Sequence, residues 1–220
     1  MRIGVLGTGS VGRTLATALL ELGHEVALGS RTADNEQASA WAAEGGERAR
    51  HGTFADSAAF GEALFNCTTG AHSLDALRSA GEESLAGKLL IDVANPLDFS
   101  RGMPPTLLVT NTDSLGEQIQ RAFPAARVVK ALNTVNHEVM VAPQRLAGEH
   151  HLFVCGDDET AKAETRDLLR GLGWPEEWIV DLGDIKGARA TEGYLPLWLR
   201  LWGAFGTGYL NVRVVLEPGA

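Results

Sequence analysis

The chain has 220 residues, enough for one large domain or a domain with a small appendage. Apolar residues make up 45% of it, and 19 Lys and Arg stand against 28 Asp and Glu, a formal charge of −9. So acidic a surface repels phosphate backbones and argues against nucleic acid as a partner, while leaving room for one local basic pocket around a single phosphate.

Residues 2–6 (RIGVL) form an apolar run without alternation, the pattern of a strand covered on both faces. GTGSVG follows, and then a helix in which Val11, Leu15, Ala18, Leu19 and Leu22 recur at helical spacing up to Gly23, a helix terminator. Residues 24–30 (HEVALGS) predict a second strand, and 34–46 a second helix with Asp34 as its N-cap. Strands are predicted at 62–69, 88–96, 126–135, 150–157 and 176–183, the second of them stopped by Asn95-Pro96. Helices are predicted at 72–80, 114–123, 158–173 and most of 185–205. The longest irregular stretch, 101–113, reads as a loop near the carboxyl edge of the sheet. Strands alternating with helices indicate parallel βαβ units, hence an α/β, doubly wound Rossmann-type fold with a mostly parallel sheet.

Cys67 and Cys155 lie in apolar runs, without metal-ligand spacing. They read as core residues of a protein in a reducing cytoplasm, and no metal site is expected. Glycines interrupt the apolar start of the chain, and Pro196, Arg200 and several glycines break the late run GYLPLWLRLWGAFGTGYL. No membrane span is expected from either.

Gly7-Thr8-Gly9-Ser10-Val11-Gly12 matches GxGxxG between a strand and a helix, the context that gives the pattern meaning. Gly7 permits the tight turn, Gly9 lets a pyrophosphate approach the backbone, and Gly12 lets the helix pack on the strand. The N–H groups at the helix start then face the phosphates. An NAD-binding unit usually ends its second strand in Asp or Glu, which accepts from the ribose 2′-hydroxyl. Here that place reads Ser30-Arg31-Thr32. A guanidinium pairs with a 2′-phosphate and hydroxyls donate to it, so these residues favour NADP(H).

GTGSVG, GHEVALGSR, ANPL, VVKALNTV, VCGDD and ARATEGYLPLWLRLWGAFG occur in this order. Together they resemble the NADPH:deazaflavin oxidoreductases, which use coenzyme F(420) and to which the reductase domain of membrane metalloreductases is related. The resemblance implies an NADP-binding Rossmann domain over 1–183. It also implies a small helical extension over 184–220, packed on that domain and on the partner in a homodimer. NADP(H) and a flat deazaflavin F(420), or a flavin, would lie with their rings face to face. By resemblance Thr8 and Ser10 line the pyrophosphate, and Ser30 and Arg31 the 2′-phosphate. Thr68, Thr69, Gly70 and His72, with Ala94-Asn95-Pro96 and Asn133-Thr134-Val135, would surround the nicotinamide and the second ring. Related enzymes often place a further basic residue soon after the arginine; here Asp34, Asn35 and Glu36 follow. No motif matches the residues that grip the deazaflavin's acidic tail.

Hydride transfer between stacked rings needs distance and alignment more than an acid–base pair. The chain shows no GxSxG, no HExxH and no Cys/His nucleophile pair. Asn133, Thr134 and His72 are the ring-positioning candidates, and no residue is assigned as catalytic. His137, His150 and His151 read as surface residues, and Lys130 as a strand lysine reaching for solvent. Arg189 and Glu192 read as a helix-surface or dimer-contact pair. Trp198 and Trp202, with Leu195, Leu199 and Phe205, read as a packing stripe. Two other functions share the N-terminal signature: an NADP-dependent imine or keto-acid reductase, and a non-catalytic NADP(H)-sensing regulator. The reductases of that kind usually append a full helical domain, for which the 36 residues after Asp184 (220 − 184) are too few.

Overall fold

Ile3, Val5 and Leu6 are completely buried in β1 (Arg2–Leu6), because helices cover both faces of the sheet to which it belongs. A computed structural model describes residues 1–217 of the chain; the last three residues of the predicted extension lie outside the described residues. After β1 come α1 (Ser10–Glu21), β2 (Glu25–Ser30), α2 (Glu36–Gly45), β3 (Ala49–Thr53), α3 (Phe54–Phe60) and β4 (Ala63–Asn66). Then follow α4 (Ser73–Ala80), α5 (Glu82–Leu85), β5 (Leu89–Asp92) and a two-stranded hairpin of β6 (Leu97–Asp98) and β7 (Thr106–Leu107). The chain continues through α6 (Leu115–Ala122), β8 (Arg127–Ala131), α7 (His137–Val141), β9 (Leu152–Gly156) and α8 (Glu159–Gly171). It ends with β10 (Ile179–Asp181), α9 (Ala188–Gly193) and α10 (Leu195–Phe205).

The main sheet has the order β10-β9-β8-β5-β4-β1-β2-β3. The six strands from β8 to β3 pair in parallel, and β9 is antiparallel to β8. The predicted mostly parallel sheet is therefore present, with one reversal. Between β8 and β9 the chain makes only the five-residue α7 and a 3-10 turn, so no crossover returns it in the parallel sense. Strand order reverses between β1 and β4, and the carboxyl ends of those strands open the crevice where ligands bind in such sheets.

Two apolar layers cover the sheet. Leu15, Leu19, Trp41, Met140, Leu168 and Trp174 pack in one, and Phe54, Leu77, Leu85, Ile119 and Phe123 in the other. Phe65, fully buried in β4, is expected to cost about 3–5 kcal/mol when cut to alanine, read as a lowered denaturation midpoint with an unchanged slope.

The element pair β3–α3 escapes a reading by apolar pattern. β3 is an edge strand that exposes Arg50 and His51. The local signal for α3 is a capping box, in which Thr53 Oγ1 accepts from the Asp56 N–H (3.1 Å) and Asp56 Oδ2 accepts from the Thr53 N–H (2.9 Å). At α2 the cap is Asn35 rather than Asp34, its side chain accepting from the Ala38 N–H at 2.9 Å. Strands predicted to run through 62–69, 88–96 and 126–135 stop at Asn66, Asp92 and Ala131, so the polar residues beyond each strand lie in loops. The predicted loop 101–113 holds β7 of the hairpin.

His150 and His151 are buried, not exposed. Asn211 donates to His150 Nδ1 and to the His151 carbonyl, and the Val214 N–H donates to His151 Nδ1, so the segment after α10 covers both rings. Trp174 and Trp178 pack against His150 at 5.1 and 4.8 Å. Among the described residues no helix is long and apolar enough to cross a membrane.

Candidate functional site

Gly7 sits just beyond β1 with φ +120°, and a Cβ there would stand 2.6 Å from the Cys67 carbonyl oxygen, just beyond β4. Only glycine fits where these two loops touch. A Cβ on Gly12 would fall 1.9 Å from the Gly7 carbonyl oxygen, so Gly12 fixes how closely α1 follows the turn. Gly9 differs from both: a Cβ there meets nothing within 4 Å. Gly9 is also the N-cap of α1, with no side-chain cap, and the first turn carries no acid. The leading N–H groups of a 12-residue helix thus face open space with the positive end of its dipole behind them. Arg13 steadies the turn, donating to the Thr8 carbonyl at 2.7 Å and to Gln37 Oε1 at 2.8 Å.

Two cavities meet at this helix end, sharing Gly9, Cys67, Thr68 and Thr69. One, of about 480 Å³, is lined by Gly7, Thr8, Arg31, Phe54, His72 and Asp75. Arg31 is exposed there and has no carboxylate partner among the described residues. Ser30 is buried, and its hydroxyl donates to the Thr32 carbonyl. It shapes the turn that presents Arg31 rather than projecting into the cavity. His72 belongs to this cavity too, apart from Asn133 and Thr134.

The other cavity, of about 540 Å³, extends from Ser10 and Val11 past Gly70, Ala94, Asn95 and Asn133–His137 to Leu195, Trp198 and Trp202 on α10. Pro96 lies outside it, in a small neighbouring depression. Leu132, buried at φ +64°, turns the chain sharply after β8 and sets the three residues that follow. Asn133 Nδ2 donates to Asn95 Oδ1 at 3.0 Å, while Asn95 Nδ2 donates to the Asn133 carbonyl at 2.8 Å. That mutual pair locks two loops together. It leaves Asn133 Oδ1 buried and unpartnered, as are Thr134 Oγ1 and Trp198 Nε1. Buried polar groups in proteins are normally paired, so three unpartnered ones in this cavity make it the candidate site for a polar ligand. Trp198 and Trp202 lie 5.5 Å apart at 54° and form part of this wall, where a stripe of pure packing had been expected.

Among the described residues, the only ionisable side chains lining this cavity are Cys67 and His137. Burial, and then the charge of Asp92, pushes the Cys67 thiol well up, so it is no nucleophile. His137 does not lie free on the surface: Nδ1 is 3.0 Å from Thr14 Oγ1. Cys155, at the far end of β9, is likewise pushed up to about 12, first by burial. Lys130 does not reach solvent, and Arg189 and Glu192 do not pair with each other. Lys130 is fully buried against Asp92 and Glu192, and Arg189 pairs with Glu117. Among the described residues, those lining this cavity thus supply hydrogen-bonding and apolar groups and no acid–base pair.

The pattern of the family described as NADP oxidoreductase, coenzyme F420-dependent, matches residues 2–96. A crystal structure of a predicted F420-dependent NADP reductase from Arthrobacter sp. FB24 is 53% identical, with a TM-score of 0.92, over 98% of this chain and 100% of that one. Metalloreductase STEAP3 of Rattus norvegicus is 30% identical over 227 residues, 99% of this chain and 43% of the relative. The chain thus spans less than half the length of the curated relatives it matches. A reductive aminase from Aspergillus terreus, solved with NADPH4, cyclohexanone and allyl amine, shares the fold at 20% identity and a TM-score of 0.67, over 93% of this chain and 62% of that one.

Proposed function

Because the chain belongs to the coenzyme F420-dependent NADP oxidoreductase family, we propose that it passes hydride between NADP(H) and a deazaflavin or flavin ring stacked on the nicotinamide. The observation that carries this reading is the second cavity: aromatic on one wall, free of carboxylates and amines, and fitted with three unpartnered buried polar atoms. It is continuous with an uncapped helix start suited to a pyrophosphate.

The residues fit the dinucleotide. The main-chain N–H groups at the start of α1, with Thr8 and Ser10, would hold the pyrophosphate, and Val11 flanks it. Arg31, on the turn formed by Ser30 and Thr32, would take the 2′-phosphate, beside His72. Thr68, Thr69, Gly70, Ala94, Asn95, Asn133, Thr134 and Val135 would frame the two rings, with Pro96 behind the Asn95 turn. The nicotinamide supplies or accepts the hydride when bound. The chain's own part would be to orient the rings and keep water out: Asn133 Oδ1 is placed to accept from a ligand N–H, and the Trp198 N–H and Thr134 hydroxyl would donate to ligand acceptors.

Mixing the protein with NADPH and, in turn, deazaflavin F(420), FMN, imines and keto acids tests this by loss of nicotinamide absorbance. Turnover confined to flat-ring acceptors is the expected result. Turnover of imines or keto acids would replace it with the small-substrate reductase reading. Tight NADPH binding with no turnover of any acceptor would make the protein a nucleotide sensor.

A further inference from the structure

Lys130 is completely buried at the end of β8, yet it lines neither cavity. Its ammonium has three protons and meets three acceptors: Asp92 Oδ2 at 2.8 Å, the Ala94 carbonyl, and Glu192 Oε1 at 2.7 Å. Burial works against its charge, but Asp92 and Glu192 outweigh that and keep Lys130 protonated above the ordinary lysine range.

Each acceptor leads to a different wall of the ring cavity. Asp92 Oδ1 accepts from Asn66 Nδ2 at 2.8 Å, and Asn66 Oδ1 accepts from Thr68 Oγ1 at 2.7 Å, which sets the loop after β4. Ala94 begins the turn in which Asn95 locks to Asn133. Glu192 also accepts from the Leu115 and Gly116 N–H groups at 2.8 and 3.0 Å, and three residues later α10 begins, carrying Leu195, Trp198 and Trp202. No such chain runs from Lys130 to Arg31 or to the Gly9 turn.

We propose that Lys130 is a positioning residue: it registers the three walls of the ring cavity against one another and so sets the rate of hydride transfer without touching either ring. The proposal rests on reading that cavity as the ring site.

Lys130→Met and Glu192→Gln, alone and together, test it. The expected result is a kcat lowered by about 10- to 100-fold with a ring acceptor, because small misalignments of reacting groups carry effects of that size. The NADPH dissociation constant should stay within about threefold, since the helix-end and Arg31 contacts are untouched. The double variant should be no slower than Lys130→Met, because both changes cut one connection. A folded Lys130→Met with parental kcat overturns the proposal, as does NADPH affinity falling in step with kcat, or additive losses. If Lys130→Met fails to fold, Glu192→Gln decides by the same split between kcat and NADPH affinity. Hydrogen exchange provides a readout independent of turnover. In both variants residues 66–70, 93–96 and 195–202 should lose protection together, while 7–12 and 30–32 keep theirs. Unchanged protection in the three walls overturns the proposal even where no acceptor turns over, a result that counts against the functional reading instead.

Discussion

Gly9→Val is expected to fold almost as the parent does and to lose NADPH binding by about 10²- to 10⁴-fold, the equivalent of two or so charge-assisted hydrogen bonds. The first half of that expectation follows from space. A Cβ on Gly9 meets no atom within 4 Å beyond its chain neighbours, and its backbone, at φ −68° and ψ −178°, suits any L-residue. Valine is a poorer N-cap than glycine by about 1 kcal/mol at most, which in a chain of this size lowers the unfolding temperature by only about 2–4 °C. The second half follows from where the open space lies: directly before the free N–H groups of α1, where a branched side chain holds a pyrophosphate off the backbone. Gly12→Ala makes the opposite contrast. Its Cβ would overlap the Gly7 carbonyl at 1.9 Å, so it should lose stability as well as binding. Calorimetric unfolding together with NADPH titration by intrinsic fluorescence separates the two. A Gly9→Val protein that keeps parental affinity would mean that the dinucleotide does not approach this turn.

The contrast between these two glycines was readable from their positions in GTGSVG, Gly9 for ligand approach and Gly12 for helix packing; what the sequence does not carry is its geometry, open space at one and a 1.9 Å overlap at the other. Position in the motif and the strand–helix context were legible, and so was the alternation that builds the sheet, because both are local in the chain. The place of Arg31, exposed one residue past the buried β2, was legible for the same reason. What escaped reading depends on contacts between distant segments. Lys130 and Glu192 are 62 positions apart, and His150 and Asn211 are 61 apart, so neither pairing leaves a spacing. One signal for Lys130 was present all the same. VVKAL has no polar face, and a strand covered on both sides offers a lysine no route to water. Burial with a carboxylate partner was therefore the better expectation than an extended surface side chain. Trp198 shows a different limit. Its helical spacing with Trp202 is that of a packing stripe, and only the unpartnered Nε1 in a cavity distinguishes it. β3 was invisible because an edge strand bearing Arg50 and His51 has no apolar period to detect.

Arg31→Glu is expected to reverse the choice of dinucleotide, weakening NADPH by about 10²- to 10³-fold and NADH by no more than about threefold. A charge-assisted guanidinium–phosphate contact contributes about 1.5–3 kcal/mol, and the introduced carboxylate adds repulsion that solvent and salt partly screen. The size of the effect depends on Arg31 acting alone. Ser30 has already committed its hydroxyl to the turn, and Asp34 and Glu36 follow where a second cation would otherwise support the phosphate. Arg13 donates from Nη1 to the Thr8 carbonyl and Gln37 and does not line the cavity that Arg31 lines. With no other arginine or lysine among the described residues lining that cavity, removing the guanidinium removes the attraction, and the acids nearby then work against a doubly charged group. The same reasoning makes the parental preference for NADPH salt-sensitive, shrinking as ionic strength rises, because the contact is exposed. NADH distinguishes the two jobs an arginine can do here. If Arg31 stacks on adenine without reaching a phosphate, both nucleotides weaken by the same factor. Dissociation constants for NADPH and NADH, measured on parent and variant at two salt concentrations, decide between them. Equal losses would leave this chain with no residue that tells one dinucleotide from the other.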